Sequence, residues 1–240
     1  MNTASQTQQR MSPEVKRGVT RWAVRETVGV IMSALILFLC AGRWDWIWGW
    51  IAVIILAGWV VATAITVIPK NPALLAERVG PKKGAKTWDT AIMGVVGLIM
   101  LAVYVVAGLD VRNGWTVDFP IALQLVGMIA AVIGYAFVVW ATSTNAYFSI
   151  IVRIQTERGH TVVTDGPYRF VRHPGYVGSI LSNLGTPLLL GSWWAFGLGV
   201  VAALLMIVRT SLEDKTLQAE LPGYAEYAQQ TRYRLLPGMW

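Results

Sequence analysis

Cysteine and charged residues are both scarce in this 240-residue sequence. Cys40 is the only cysteine, and it lies within a long apolar run, so disulfide bonds and thiolate metal clusters are excluded. Charged residues make up 14% of the chain and hydrophobic residues 55%, whereas soluble domains carry about 25% charged residues. The low charge excludes an ordinary water-soluble domain and indicates an integral membrane protein.

Five long runs contain no Asp, Glu, Lys or Arg: residues 27–42, 46–69, 90–109, 119–152 and 174–208. A helix needs roughly 20 apolar residues to cross the ~30 Å hydrocarbon core. The last run would be about 52 Å long as one helix, and the turn-like "GSWW" interrupts its middle. We therefore predict an all-α integral membrane protein with about six transmembrane helices. The last two should form a short hairpin, over about residues 174–190 and 192–209.

Positive charge is distributed unevenly between the two sides of this six-helix arrangement. Of the 20 Lys and Arg residues, all but Arg43 and Arg112 fall on the side that holds both termini. The positive-inside rule therefore predicts cytoplasmic N- and C-termini. Several tryptophans then cluster at the opposite interface, where indole rings anchor well: Trp44, Trp46, Trp48, Trp50, Trp115, Trp193 and Trp194. Topology and anionic membrane lipid account for the net charge of +7, so we expect no nucleic-acid partner.

The chain divides by composition into three regions. Residues 1–26 are predicted to form a basic, partly disordered cytoplasmic N-terminal arm, and residues 27–149 a transmembrane scaffold of four helices. Residues 150–240 carry most of the polar side chains. Within them, residues 212–230 are amphipathic and are predicted to form two helices broken at "LPG".

Polar and conformationally restricted residues are concentrated in "GPYRFVRHPGYVG", residues 166–178. Pro174 suits the first position of a helix, and a helix N-terminus attracts a carboxylate or phosphate. Arg169 and Arg172 add positive charge, and Tyr168 and Tyr176 offer aromatic faces to a cation or a base. The alternative is a cytoplasmic loop whose arginines contact lipid phosphates. Small residues in the helix that follows should let a neighbouring helix approach closely: Gly175, Gly178, Ser179, Ser182 and Gly185.

A second polar group lies at the end of the last apolar run. Arg209 and Glu213 are four residues apart and share one helix face. They either form an ordinary salt bridge, or Glu213 faces a bound ammonium while Arg209 faces an anion. His160 is either a structural hydrogen-bonding residue or a ligand-binding one. An anion site, a carboxylate and aromatic walls together would suit S-adenosylmethionine, beside a membrane flank open to a lipophilic acceptor.

Three stretches carry a resemblance to a known family: "GHTVVTDGPYRFVRHPGYVG", the downstream "R-x-x-x-E-D-x-x-L", and "LPGYAEYAQQTRYRLLPGMW". Residues 150–240 resemble the isoprenylcysteine carboxyl methyltransferase family of membrane methyltransferases, which implies that they form the catalytic region. The resemblance implies S-adenosylmethionine as the cofactor, with Arg209 approaching the substrate and Glu213 serving both catalysis and cofactor binding. It also implies cofactor contacts from Gln155, His160, Thr161, Val162, Val163, Tyr168, His173, Pro174, Gly175 and Tyr176.

The family resemblance implies direct displacement at the cofactor's methyl group, without a metal. A carboxylate or thiolate acceptor needs no general base, and aligning it with the methyl group supplies several kcal/mol. The acceptor could be a prenylated cysteine carboxylate, a small thiol or a phospholipid amine. A membrane sterol or steroid reductase using NADPH is a second candidate, because such enzymes share a similar C-terminal layout.

Overall fold

The computed structural model describes residues 11–80 and 84–240, and over these residues the chain is α-helical without a β-strand. Residues 1–10 of the predicted arm lie outside the described residues, as do Lys82 and Lys83, which entered the predicted charge distribution. The helices are α1 (Pro13–Ala41), α2 (Ile47–Val67), α3 (Pro72–Arg78), α4 (Thr87–Asn113), α5 (Ile121–Thr144), α6 (Pro174–Leu189), α7 (Trp193–Glu220) and α8 (Tyr224–Gln230).

Five of the described helices are long and apolar enough to cross a membrane: α1, α2, α4, α5 and α7. The protein is therefore a multi-pass integral membrane protein, as predicted. The expected hairpin is also present, with α6 and α7 separated by the turn at residues 190–192. However, α6 has only 16 residues, about 24 Å at 1.5 Å per residue. It is therefore shorter than the ~30 Å hydrocarbon core.

Two boundaries differ from the predictions. Residues 13–26, predicted as a partly disordered arm, form the first turns of α1. The Ser12 side chain caps this helix by accepting from the Val15 amide at 3.3 Å, and Pro13 occupies the first turn. The second difference is that α7 is long, continuing past Arg209 to Glu220, because nothing between these residues breaks a helix. The chain does break at residues 221–223, as predicted, before α8 begins.

Helices α5 and α6 form the closest helix pair, and the predicted stripe of small residues lies between them. A Cβ atom built on Gly178 would lie 2.4 Å from the Gly134 carbonyl oxygen, and one on Gly185 would lie 2.6 Å from the Ala131 amide nitrogen. Backbones this close leave no room for a side chain, so the prediction of close helix approach is confirmed. This packing fixes α6 and therefore the position of its N-terminus.

The helix ends gather into two groups. At one end, Asp110 of α4 accepts hydrogen bonds from Thr116 and from Ser192, the N-cap of α7. At the other end lie α3, α8, residues 145–173 and the last turns of α7, which we call the polar end. Most of the chain's polar side-chain contacts lie at the polar end, and the candidate site is there.

Candidate active site

A cavity opens at the polar end between the N-terminus of α6, the last turns of α7, α8 and residues 145–163. Its empty volume is about 760 Å³ including the open mouth. Most of the predicted site residues line it: Thr161, Val162, Val163, Tyr168, His173, Pro174, Gly175, Tyr176 and Glu213. The fold thus brings the motif around His173 together with Glu213, which lies 40 residues further along the chain.

Helix α6 begins at Pro174, as the sequence predicts, and His173 is its N-cap residue. The His173 side chain does not cap the helix. Its Nε2 atom lies 3.2 Å from an Asp214 carboxylate oxygen, and its ring stacks on Tyr176 at 5.6 Å between centroids. Pro174 has no amide hydrogen, and the amides of Tyr176 and Val177 donate to the His173 carbonyl at 3.0 and 3.2 Å, which leaves the Gly175 amide without a recorded backbone partner in the described chain. The start of α6 therefore gives the cavity a backbone site with partial positive charge.

Asp214 is the buried centre of a hydrogen-bond network beside the cavity. Arg172 donates to both of its carboxylate oxygens, at 2.7 and 3.0 Å, and Arg234 donates from Nε at 2.9 Å. The Tyr224 hydroxyl donates to it at 3.1 Å. Burial raises the pKa of Tyr224, so this hydroxyl keeps its proton at neutral pH. The network joins α6, α7, α8 and the C-terminal segment.

The arginines of the 166–178 segment do not provide free positive charge, contrary to the prediction for an anion site. The Arg172 guanidinium pairs with Asp214 and also donates to the carbonyls of Thr231 and Arg232. Arg169 is exposed and pairs with Asp165. A single sequence could not reveal this pairing, because Arg172 and Asp214 are 42 positions apart.

Glu213 is the acidic side chain among the residues that line the cavity. It accepts a hydrogen bond from the Tyr176 hydroxyl. Among residues 11–80 and 84–240, no salt bridge to Glu213 is found, and Arg209 pairs with Asp89 instead, so the salt-bridge alternative for Arg209 and Glu213 is not observed. A carboxylate that has a hydroxyl partner and no salt bridge within the described residues favours a positively charged ligand.

Arg209 lies beside the cavity rather than on its wall. Its Nε donates to Asp89 at 2.6 Å, one of its terminal nitrogens donates to the Ile150 carbonyl at 2.7 Å, and its guanidinium lies 5.0 Å from the centroid of the Tyr176 ring. Asp89 is fully buried in the first turn of α4. Sequence reasoning missed Asp89, since it belongs to no motif and precedes an apolar run.

Gln155 and His160 also lie off the cavity wall. The Gln155 side chain donates to the Tyr147 carbonyl at 2.7 Å, and its backbone amide donates to His160 Nδ1 at 3.3 Å. The His160 ring packs on the Tyr147 ring at 4.6 Å. Burial lowers the pKa of His160 to about 4. These two residues brace residues 145–163, and a direct contact between either of them and a cofactor stays a prediction.

Several residues that line the cavity were not predicted. Tyr224 and Tyr227 are three positions apart on α8, and this spacing could have indicated a shared aromatic face. The others come from the loop after α5 and from the end of α7, where the sequence gives no specific signal: Asn145, Tyr147, Phe148, Ser149, Ile151, Val152, Arg153, Leu217 and Leu221.

Comparisons with known proteins agree with the motifs that form this cavity. Residues 125–219 match the model of the isoprenylcysteine carboxyl methyltransferase (ICMT) family. The protein-S-isoprenylcysteine O-methyltransferase of Schizosaccharomyces pombe is 50% identical over 46 residues, which are 19% of this chain and 20% of that protein. The cobalt-zinc-cadmium resistance protein CzcN of Cupriavidus metallidurans is 30% identical over 120 residues, 49% of each chain.

A solved structure of a eukaryotic intramembrane Ras methyltransferase ICMT aligns with 92% of this chain and 96% of its own, with a TM-score of 0.42 and 16% identity. The two relatives above are matched over at most about half of their length. Helices α1 to α4, with Asp89 in α4, lie outside the residues that match the family model.

Proposed function

We propose, from the premise that residues 125–219 belong to the isoprenylcysteine carboxyl methyltransferase family, that this protein transfers a methyl group from S-adenosylmethionine to a lipophilic acceptor. One observation carries the proposal. The carboxylate of Glu213 has no salt-bridge partner within the described chain, and it shares a cavity with the uncapped N-terminus of α6. The cavity thus combines a site for positive charge with a site for a carboxylate.

The cavity residues fit S-adenosylmethionine, which carries a carboxylate, an ammonium, a sulfonium and a purine. The Gly175 amide and the positive end of the α6 dipole would receive the carboxylate, and Glu213 would receive positive charge. The stacked rings of His173 and Tyr176 offer an aromatic face to a cation or to the purine. Thr161, Val162 and Val163 would enclose the ligand from the 145–163 side.

The protein's own residues would act by binding and alignment. The bound cofactor would supply an electrophilic methyl group, whose bond to the sulfonium sulfur would break as the bond to the acceptor forms, with the neutral thioether S-adenosylhomocysteine as the leaving group. A carboxylate or thiolate acceptor already carries the electron pair that forms the new bond, so the protein needs no general base. Aligning acceptor and methyl group lowers the barrier by several kcal/mol. The walls formed by Phe148, Leu217 and Leu221 would keep water away from the reacting atoms.

The acceptor is proposed to be a prenylcysteine-type carboxylate or a thiol, reached from the membrane at the cytoplasmic face. The relatives named above include a protein-S-isoprenylcysteine O-methyltransferase, which favours the carboxylate. The polar end holds Arg78, Arg153, Arg158, Arg169, Arg172 and Lys215, and the positive-inside rule would direct that end to the cytoplasm. Arg209 is proposed to orient the acceptor through its contact with Tyr176.

The test is methyl transfer by the purified protein in lipid nanodiscs. Labelled S-adenosylmethionine is supplied with one acceptor at a time: a prenylcysteine, a lipophilic thiol or a phospholipid amine. Label is expected on the prenylcysteine or the thiol. Parallel titrations with S-adenosylmethionine and NADPH test the reductase alternative. Binding of NADPH alone, or label on the phospholipid alone, would refute the proposed reaction.

A further inference from the structure

Asp89 connects the N-terminal half of the chain to the candidate active site. Its carboxylate is fully buried and pairs with Arg209 through Oδ1 at 2.6 Å and Oδ2 at 3.3 Å. Oδ2 also accepts a hydrogen bond from the Val152 amide at 2.7 Å. Val152 lines the cavity. One carboxylate from α4 therefore holds both a segment of the cavity wall and the arginine proposed to orient the acceptor.

We propose that Asp89 is a specificity-determining residue that limits how strongly the site prefers a negatively charged methyl acceptor over a neutral one. It would act as a positioning residue, through Arg209 rather than by contact with the acceptor. This inference rests on the proposed function. It concerns a residue outside the part of the chain that matches the family model.

The charges around the cavity support this role. The basic residues on its wall are already paired, Arg172 with Asp214 and Arg153 with Glu77 and Glu157. Arg209 lies beside the cavity, in contact with the ring of Tyr176, and its charge is paired with that of Asp89. Both members of this pair are buried, with Arg209 only 4% exposed, so solvent and salt screen the pair weakly.

Removing the Asp89 charge would leave the buried guanidinium without its ion-pair partner, next to the ring of Tyr176 and with Glu213 as a more distant carboxylate. At an effective dielectric constant of about 20, one such charge several ångströms from an anionic group changes its binding constant by about tenfold or more. The site would then select anionic acceptors more strongly than the native protein does. Asp89→Asn makes this change while keeping the side-chain shape and an oxygen that can accept from the Val152 amide.

The experiment compares two probes of the same shape and different charge: a prenylcysteine with a free carboxylate, and its carboxamide. Their Kd values are measured by calorimetry on the full-length protein in detergent, so that the readout does not depend on turnover. For Asp89→Asn, we expect the ratio of carboxamide Kd to carboxylate Kd to rise at least about tenfold over the unsubstituted protein. Asp89→Glu keeps the charge and should leave the ratio within about twofold of its original value.

The matched control is Asp110→Asn, at the opposite end of the same helix. Asp110 is also buried, with 2% exposure, but its recorded partners are hydroxyls and an amide. This variant should lose thermal stability without changing the ratio of the two Kd values. An equal change in the ratio for Asp110→Asn and Asp89→Asn would indicate a general structural effect and overturn the proposal.

The remaining outcomes are also decisive. An unchanged ratio in a folded Asp89→Asn protein overturns the inference, while methyl transfer by the unsubstituted protein leaves the proposed function intact. If the unsubstituted protein binds neither probe, or transfers no methyl group to any acceptor, the proposed function fails and the inference with it. If Asp89→Asn does not fold, Asp89→Ser is the second charge-removing variant. Failure of both to accumulate, with Asp89→Glu accumulating normally, would assign Asp89 a purely structural role.

Discussion

At the scale of single residues, Glu213 provides the sharpest test of the cofactor site. Its carboxylate faces the cavity and has the Tyr176 hydroxyl as its hydrogen-bond partner. Glu213→Gln removes the charge at nearly constant shape and should weaken S-adenosylmethionine binding at least about tenfold. Calorimetry on the purified protein measures the effect. Glu226→Gln, on the exposed face of α8, is the control and should bind normally. If the two variants bound S-adenosylmethionine equally well, Glu213 would not be a cofactor-binding residue.

The pKa of His160 predicts how this residue affects stability at acidic pH. Burial lowers the pKa of His160 to about 4, whereas a histidine in the unfolded chain has a pKa of about 6.5. The unfolded protein therefore binds a proton more readily than the folded protein between these values. The free energy of unfolding should fall as the pH drops from about 6.5 towards 4, with no such effect above pH 7.

The His160→Gln variant removes this titration and keeps a side-chain oxygen that can accept from the Gln155 amide. Its stability should decline less steeply than that of the native protein between pH 6.5 and 4.5. Chemical denaturation in detergent at several pH values measures the slope. A comparison at pH 8, where the native histidine is neutral, separates titration from packing effects. If stability fell equally steeply with pH in the two proteins, His160 would not have a lowered pKa in the folded protein.

At the scale of elements, the sequence was most informative where a local rule decides the structure. Pro174 begins α6, the break at residues 221–223 ends α7, and the small residues of α6 contact α5. Each follows from backbone chemistry within a few residues. The helix over residues 13–26 was not predicted, because their charge suggested a partly disordered arm while their capping residues specify a helix.

Because the backbones of α5 and α6 are in contact, a single methyl group added between them should lower the stability of the protein. Gly178→Ala would place Cβ 2.4 Å from the Gly134 carbonyl oxygen and 2.8 Å from the Val138 amide nitrogen. Since backbone atoms cannot move aside cheaply, the variant should lose about 1–3 kcal/mol of stability. Thermal unfolding in detergent provides the measurement.

The matched control for Gly178 is Gly197→Ala in α7, where a Cβ atom meets nothing within 4 Å. Alanine is favoured over glycine in a helix interior by up to about 1 kcal/mol, so this control should be neutral or slightly stabilising. A Gly178→Ala protein as stable as the control would mean that the Gly134 carbonyl oxygen lies further from Gly178 than the 2.4 Å contact requires.

At the scale of the whole molecule, the site depends on pairings between distant parts of the chain. Arg209 pairs with Asp89 at a separation of 120 residues, and Arg172 pairs with Asp214 at a separation of 42. Neither pairing follows from spacing or composition, because many charged residues could be partners until the helices are placed. The sequence therefore identified less than half of the residues on the cavity wall, and the partners that set its charges required the fold.

The C-terminal segment completes the network around Asp214. The backbone amides of Arg172 and His173 donate to the carbonyls of Tyr233 and Arg234, and the Arg234 side chain donates to Asp214 at 2.9 Å. Arg234→Gln should therefore lower the free energy of unfolding by about 1–3 kcal/mol. It should also weaken S-adenosylmethionine binding, because Asp214 positions His173 at the cavity.

Arg232→Gln is the matched control for Arg234, two positions away. The Arg232 side chain is exposed, and its recorded role in the network is its backbone carbonyl, which accepts from Arg172. This control should keep both stability and cofactor affinity, measured by thermal unfolding and calorimetry on the same preparations. If Arg234→Gln lost stability but bound the cofactor normally, the C-terminal segment would support the fold without shaping the site. If both variants behaved like the native protein, Arg172 and His173 would be sufficient to hold Asp214.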